Sequence, residues 1–432
     1  MTNTIAALRA REVDDSRGNP TVETDVITSS DHQGRAIVPS GASTGDDEAL
    51  ELRDGEKRRG GKGVRQAITN VLGPLSKVVS GMNVFDQAAI DNAMNDADGT
   101  PNKKVYGANA ILSISMASLH AAANASKLPL YLYVWKLNNP KEVMPEELIF
   151  PLPMMNMING GEHANNSIDM QEAMIQPKYG AFDDLLSALD ACSEVQHCLA
   201  KRLDKAGHGT SVGDEGGFAP NLDSDEEAFQ LLNEAVRDAG YEGKFNYCID
   251  AAATEFYNKD TGLYAFNGAD RTSEEMVQIL EDWISKYPII SVEDWLADTD
   301  HDGWKLLTDR LGKKLQLVGD DLFCTNPRIL QEGIDKGLAN ALLVKVNQIG
   351  TVTETLAAVA KAVKAEYKCV MSHRSGESED TTIADLAVAL CCGQIKTGGY
   401  SRSDRIAKYN QLRRIWEDAK ERGIICLLGI AP

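Results

Sequence analysis

The chain has 432 residues, 43% hydrophobic and 25% charged, which is ordinary globular composition and enough length for two domains or for one barrel with an added lobe. Its formal net charge of −20 and pI near 4.8 argue against nucleic acid or an anionic membrane as partner. Eight cysteines without a C-x-x-C pair indicate neither a zinc site nor a disulfide framework, and suggest a reducing compartment.

The start, Met1-Thr2-Asn3-Thr4, has no basic or apolar leader region. The longest apolar stretch, about 108–134, is interrupted by Ser113, Ser115, His120, Asn124 and Lys127, and reads as a buried helix rather than a membrane span. A cytoplasmic location is the expectation. Gly18-Asn19-Pro20 signals a turn, after which Thr21 to Val26 alternates as a half-buried strand. A second strand ends at Ile37-Val38-Pro39 and runs into the hydroxyl-rich loop Ser40-Gly41-Ala42-Ser43-Thr44-Gly45. Such a loop can bring backbone N–H and hydroxyl groups to a phosphate or metal, or can be a plain surface hairpin. Helical patterns follow to about residue 135.

Prolines 140, 145, 151 and 153 among acidic residues mark a boundary, dividing the chain into 1–140 and 141–432. Beyond it, residues 154–161 and 168–177 read as the first strands of the larger domain. Short β-branched runs then alternate with helical stretches, the pattern of an α/β protein with a (β/α)8-type barrel. The stretches Ser224 to Glu227, Thr272 to Glu275 and Thr351 to Glu354 each have the form of a helix-starting capping box.

The strand ends carry the chemistry. Asp250, Glu293 and Asp320 close successive runs, and a barrel gathers such ends at one mouth. Like charges so close require a cation, and hard carboxylate oxygens without Cys or His favour Mg²⁺. Neighbours Asp294 and Asp321 should face the other way by the two-residue period and serve as structure. Lys345 follows Leu343-Val344 at the same mouth. Divalent charge would destabilise its ammonium and make it a general base; alternatively it simply pairs with the acids. Glu215, between glycines, could be the opposing acid, with His163 and Glu172 near the same rim. Arg374, with Ser375, and Lys396 add fixed hydrogen-bonding and positive groups, which together imply a small substrate bearing a phosphate and a carboxylate.

Several stretches carry a resemblance over almost the whole length. They are Asp15-Ser16-Arg17-Gly18-Asn19-Pro20, Ser40 to Gly45, Gly213-Asp214-Glu215-Gly216-Gly217, Lys345-Val346-Asn347-Gln348, Ser372-His373-Arg374-Ser375-Gly376 and Lys408-Tyr409-Asn410-Gln411. In these the chain resembles the enolase family. The resemblance implies a smaller N-terminal α+β domain and a barrel whose first connections depart from regular βα order. It implies dehydration of 2-phosphoglycerate to phosphoenolpyruvate with two Mg²⁺ per site, one arriving with substrate. Asp250, Glu293 and Asp320 would hold the first ion and Ser43 would help hold the second. Lys345 would take the C2 proton, and Glu215, assisted by Glu172, would protonate the leaving hydroxyl. Gln171, Arg374, Ser375 and Lys396 would contact substrate, with His163 and His373 closing around it. It also implies a homodimer or larger assembly, with Glu23 and Arg414 at positions that pair across the family's interface.

Departures from the family pattern stand at Asp46, Asp47, Ala173, Trp295 and Trp416, and in the tail Ile424 to Leu428. Of these, Ala173, Trp295 and the Asp46-Asp47 pair motivate a second reading, a paralogue acting on a related phosphate or phosphonate, as in carboxyphosphonoenolpyruvate synthesis. A non-catalytic scaffold is a third, but a scaffold would be free to lose Lys345 or Glu215.

Overall fold

The computed structural model describes residues 3–41, 45 and 47–429. Ser43 and Asp46, singled out above, lie outside the described residues. The N-terminal lobe is an antiparallel sheet of β1 (Ile5–Asp14), β2 (Pro20–Thr28) and β3 (Gln33–Ile37), in that order, backed by helices. The half-buried strand expected at 21–26 is instead buried on both faces. Val22, Thr24 and Val26 face the helix Ala108–Ser126, where Thr24 Oγ1 meets Ser113 Oγ at 2.7 Å. On the other face Glu23 and Asp25 lie under the guanidiniums of Arg11 and Arg35. Sheet and helix touch closely: a Cβ on Gly34 would stand 2.1 Å from the backbone nitrogen of Ala121. The apolar stretch expected as one helix over 108–134 is two, this buried helix and Leu130–Asn138, divided at the left-handed Lys127 and at Pro129; no helix among the described residues is long and apolar enough to cross a membrane.

The larger lobe closes a barrel from β5 (Leu152–Asn159), β6 (Glu172–Pro177), β7 (Phe245–Asp250), β11 (Ile289–Glu293), β12 (Gln316–Gly319), β13 (Ala341–Val344), β14 (Lys368–Ser372) and β15 (Gly393–Lys396). Outside it, β4 (Glu147–Phe150) pairs with β16 (Ile425–Leu428), and β8 (Tyr257–Asn258), β9 (Leu263–Phe266) and β10 (Ala269–Arg271) form a small antiparallel sheet. β6 runs antiparallel to both β5 and β7, so the first connections depart from βα order as the resemblance implied. It is shorter than the strand expected at 168–177, because residues 168–171 instead accept hydrogen bonds from Gly160 and Gly161.

The barrel is filled, not hollow. Met154, Met174, Cys248, Val318, Ala341, Leu343 and Val370 form an interior layer distinct from the core between strands and helices. The two-residue side-chain period then fixes what stands above that layer. Two residues beyond Cys248, Val318 and Leu343 come Asp250, Asp320 and Lys345, and two before Met174 on the reversed strand comes Glu172.

Helix starts mostly follow their sequence signals. Thr272 and Glu275 make the full reciprocal box, and Thr351 accepts from the Glu354 amide. Ser224 does not cap its helix, contrary to expectation; Glu227 reaches instead to the amide of Asp223 at 2.8 Å. Trp295 is wholly buried against Phe266 and Trp283 and donates to the carbonyl of Met276 at 2.9 Å, so this departure is a packing feature.

Asp385 is buried at 2% exposure, accepting from the Tyr131 amide and Gln411, and burial pushes its carboxyl up to about 7. Its folded value exceeds its unfolded one, so the folded state binds the extra proton. Stability is therefore lost as pH rises from about 4 through about 7, by up to about 4 kcal/mol. Asp385→Asn is expected to raise Tm near pH 8 and leave it little changed near pH 4, measured by thermal melts across that range.

Candidate active site

The strand ends meet in one mouth. A cavity there is lined by His163, Gln171, Glu172, Glu215, Asp250, Lys345, Ser372, His373, Arg374, Ser375 and Lys396. Beside it, toward the N-terminal lobe, lies a second cavity of about 400 Å³ bounded by Gly41, Gly45, Glu48, Asn347 and Arg374.

Lys396 stands at the centre of the acids. Its Nζ lies 2.7 Å from Asp250, 2.9 Å from Glu293 and 3.1 Å from Glu172. Burial opposes its charge, but the three carboxylates hold its pKa well above the ordinary lysine value. Lys345, at the end of β13, donates to Asp320, which also accepts from Gln348 at 2.7 Å. Burial works against the Lys345 ammonium and Asp320 outweighs it, so within the protein's own charges the amine is protonated. Asp250 and Glu293 thus share one lysine while Asp320 takes another.

The expectation that Asp294 and Asp321 face away needs correction. Asp294 accepts from the amides of Asp320 (3.0 Å) and Asp321 (2.8 Å), and the three carboxylates cluster with oxygens within 4.8 Å of one another. A tight turn after β12, closed by bonds from Phe323 and Cys324 to the Asp320 carbonyl, folds Asp321 back beside Asp320. Burial and the Asp320 charge push the Asp321 carboxyl up to about 8.

The opposite wall is a carboxylate–histidine group. His163 Nδ1 lies 3.5 Å from Glu215 and 3.8 Å from Glu172, and His373 Nε2 lies 3.3 Å from Glu215. Burial and the Glu215 charge push Glu172 well above the carboxylate range, so it holds a proton. Burial alone would raise Glu215 too; His163 and His373, with Arg405 behind them, hold it ionised. Burial also lowers His373, to about 4. Arg405, wholly buried, donates to His373 Nδ1 and to the carbonyls of Arg374 (2.6 Å) and Ser375 (2.7 Å). A guanidinium cannot accept, so the neutral imidazole carries its proton on Nε2, facing Glu215.

Arg374 does not stand open. Glu48 grips it bidentately at 2.9 and 3.1 Å, and Asn347 accepts from it at 3.2 Å. Sequence reasoning missed Glu48, Arg405 and Asn156, which donates to Glu215 at 3.2 Å. Glu48 follows Asp46 and Asp47, which stand out above only as departures from the family pattern, and Arg405 has no local signature within its helix. Gln348 belonged to a motif already quoted and was recoverable from it.

Glu293 Oε2 is buried without a hydrogen-bond partner among the described residues. An orphan carboxylate oxygen beside Asp250 and Asp320 fits an oxygen-loving divalent cation rather than zinc or a redox metal.

A closed barrel with one reversed strand, its mouth holding buried carboxylates around two lysines, defines a site equipped for acid–base chemistry. Residues 5–134 match the family model described as enolase, N-terminal domain, and residues 147–426 match enolase, C-terminal TIM barrel domain. The chain belongs to the enolase family and is a lyase of the enolase superfamily, whose members bind Mg²⁺.

Proposed function

We propose that the protein dehydrates 2-phosphoglycerate to phosphoenolpyruvate. The observation that most supports this reading is one cavity lined by both Lys345 and the Glu172–Glu215 pair, a base and a proton-holding acid pair. Lys345 takes the proton from C2, and the electron pair left there forms the double bond as the C3 hydroxyl departs. The proton held between Glu172 and Glu215 goes to that hydroxyl, which leaves as water. His163 and His373 wall off the acid pair from solvent, while Gln171, Arg374, Ser375 and Lys396 hold the phosphate and carboxylate. Asp250, Glu293 and Asp320 would hold one Mg²⁺, and Ser43 would help hold a second. When bound, Mg²⁺ supplies positive charge that opposes the ammonium form of Lys345 and stabilises charge developing on the substrate. The test is turnover of 2-phosphoglycerate with Mg²⁺, followed by the absorbance of the enol product; absence of turnover rejects the reading.

Two of the departures that pointed to a phosphonate substrate give that alternative little support. Ala173 and Trp295 both pack in the core between strands and helices, away from the mouth. We also read the protein as cytoplasmic, since all eight cysteines are unpaired. Its domains divide at 140/141, and it assembles as a homodimer or larger. In that assembly Glu23 would add a partner's Arg414 to the Arg11 it already holds.

Glu48 occupies the guanidinium this reading assigns to the substrate phosphate. Glu48→Gln is expected to tighten inorganic phosphate binding about tenfold, because the competing carboxylate is gone. Titration calorimetry measures it; equal affinities would mean that Glu48 does not compete.

A further inference from the structure

The opposite end of the barrel holds a cavity of about 640 Å³ that the proposed chemistry does not use. It shares no lining residue with the mouth, and the apolar layer from Met154 to Val370 stands between them. Its floor is polar, unlike that layer. Gln394 donates to Gln316 at 2.7 Å, Gln316 returns a bond to Gln394 at 3.0 Å, and Gln176 donates to Gln394 at 3.2 Å. Gln316 and Gln394 are each 8% exposed.

Its rim carries Lys178 after β6, Lys313 and Lys314 before β12, and Lys368 at the start of β14. None of the four forms an ion pair among the described residues, and Glu366 is the one acid lining the cavity. Three chain segments thus bring a local excess of positive charge to one opening of a protein with net charge −20. The loop bearing Lys313 and Lys314 is held in place. Asn340 donates to the carbonyls of Gly312 and Leu315, each at 2.9 Å, and accepts from the Leu317 amide. Leu152, Ile290 and Tyr179 supply apolar surface within the same cavity.

We infer that this cavity binds a small organic polyanion, its phosphate or carboxylate groups among the four lysines and its body against the apolar wall. The volume suits a metabolite-sized ligand. A preorganised loop spares part of the ordering cost of binding.

The test is equilibrium binding of ATP, citrate and pyrophosphate to the whole protein at physiological salt, with EDTA present to suppress metal-dependent binding at the mouth. At least one probe should bind saturably at one site per chain. Lys178→Gln/Lys368→Gln should weaken it about tenfold or more, with an unchanged melt in the absence of probe, while Arg374→Gln should leave it intact. Preference for ATP and pyrophosphate identifies a phosphate ligand, and preference for citrate a polycarboxylate. Saturable binding by none of the three overturns the inference, as does binding lost in Arg374→Gln and kept in the lysine variant.

Discussion

Lys345→Ala is expected to abolish exchange of the C2 proton with solvent and to cut turnover by about 10²- to 10⁴-fold or more, the usual contribution of a positioned general base. The residue directly follows β13 with its ammonium on Asp320, at a mouth it shares with Arg374 and Lys396. Burial and those two cations oppose its charge, and Asp320, helped by Glu293, overrides them and keeps it protonated. A base must be neutral, so in the proposed reaction the Asp320 and Glu293 charges would have to be engaged elsewhere, which a divalent cation held by those carboxylates would accomplish. Lys345→Arg should not rescue, because a guanidinium stays protonated in proteins. Deuterium incorporation at C2 reads the proton step directly, and thermal melts confirm that the variants fold. Exchange at the wild-type rate in Lys345→Ala would remove the base from the mechanism.

That lysine also shows why so much of the site was readable from sequence. Leu343 faces the barrel interior, so the two-residue period puts Lys345 on the same side, above the plug, and it does the same for Asp250 beyond Cys248 and Asp320 beyond Val318. Closure of the sheet then brings together strand ends far apart in sequence. The period cannot describe what happens after a strand ends. Asp321 was assigned away from the mouth, and the turn at Phe323 and Cys324 returns it to Asp320. Nor does a period report which long side chains reach one another. Nothing local announced that Lys396 would bind Glu172, Asp250 and Glu293 together, or that Glu48 would cross from the other lobe to Arg374. Capping followed the same division. Ser224 and Glu227 stand at the same spacing as Thr272 and Glu275, yet only the second pair closes its box, because Glu227 bonds upstream to the Asp223 amide.

Lys396→Met is expected to destabilise the fold by about 3–5 kcal/mol near neutral pH, the cost of leaving buried charge without its partner. Methionine keeps most of the side chain's length and apolar stem, so the loss is electrostatic rather than a cavity. The three carboxylates it contacts are almost fully excluded from water, and burial with mutual repulsion already pushes Glu172 and Glu293 above the ordinary range. For such acids the folded value lies above the unfolded one. Their contribution is therefore most favourable below about pH 4, and stability falls as pH rises through the folded values. Removing the ammonium raises those values further, so the variant's deficit should widen as pH rises above the ordinary carboxylate range. Mg²⁺ should recover part of it, because a cation that binds only the folded carboxylates stabilises by mass action. Melts of wild type and variant across that rise in pH, with and without Mg²⁺, measure all three effects. A deficit independent of pH and metal would mean that the ammonium acts only as packing. The carboxylates around it would then have no need of a cation, and the acidic mouth would lose its physical basis as a metal site.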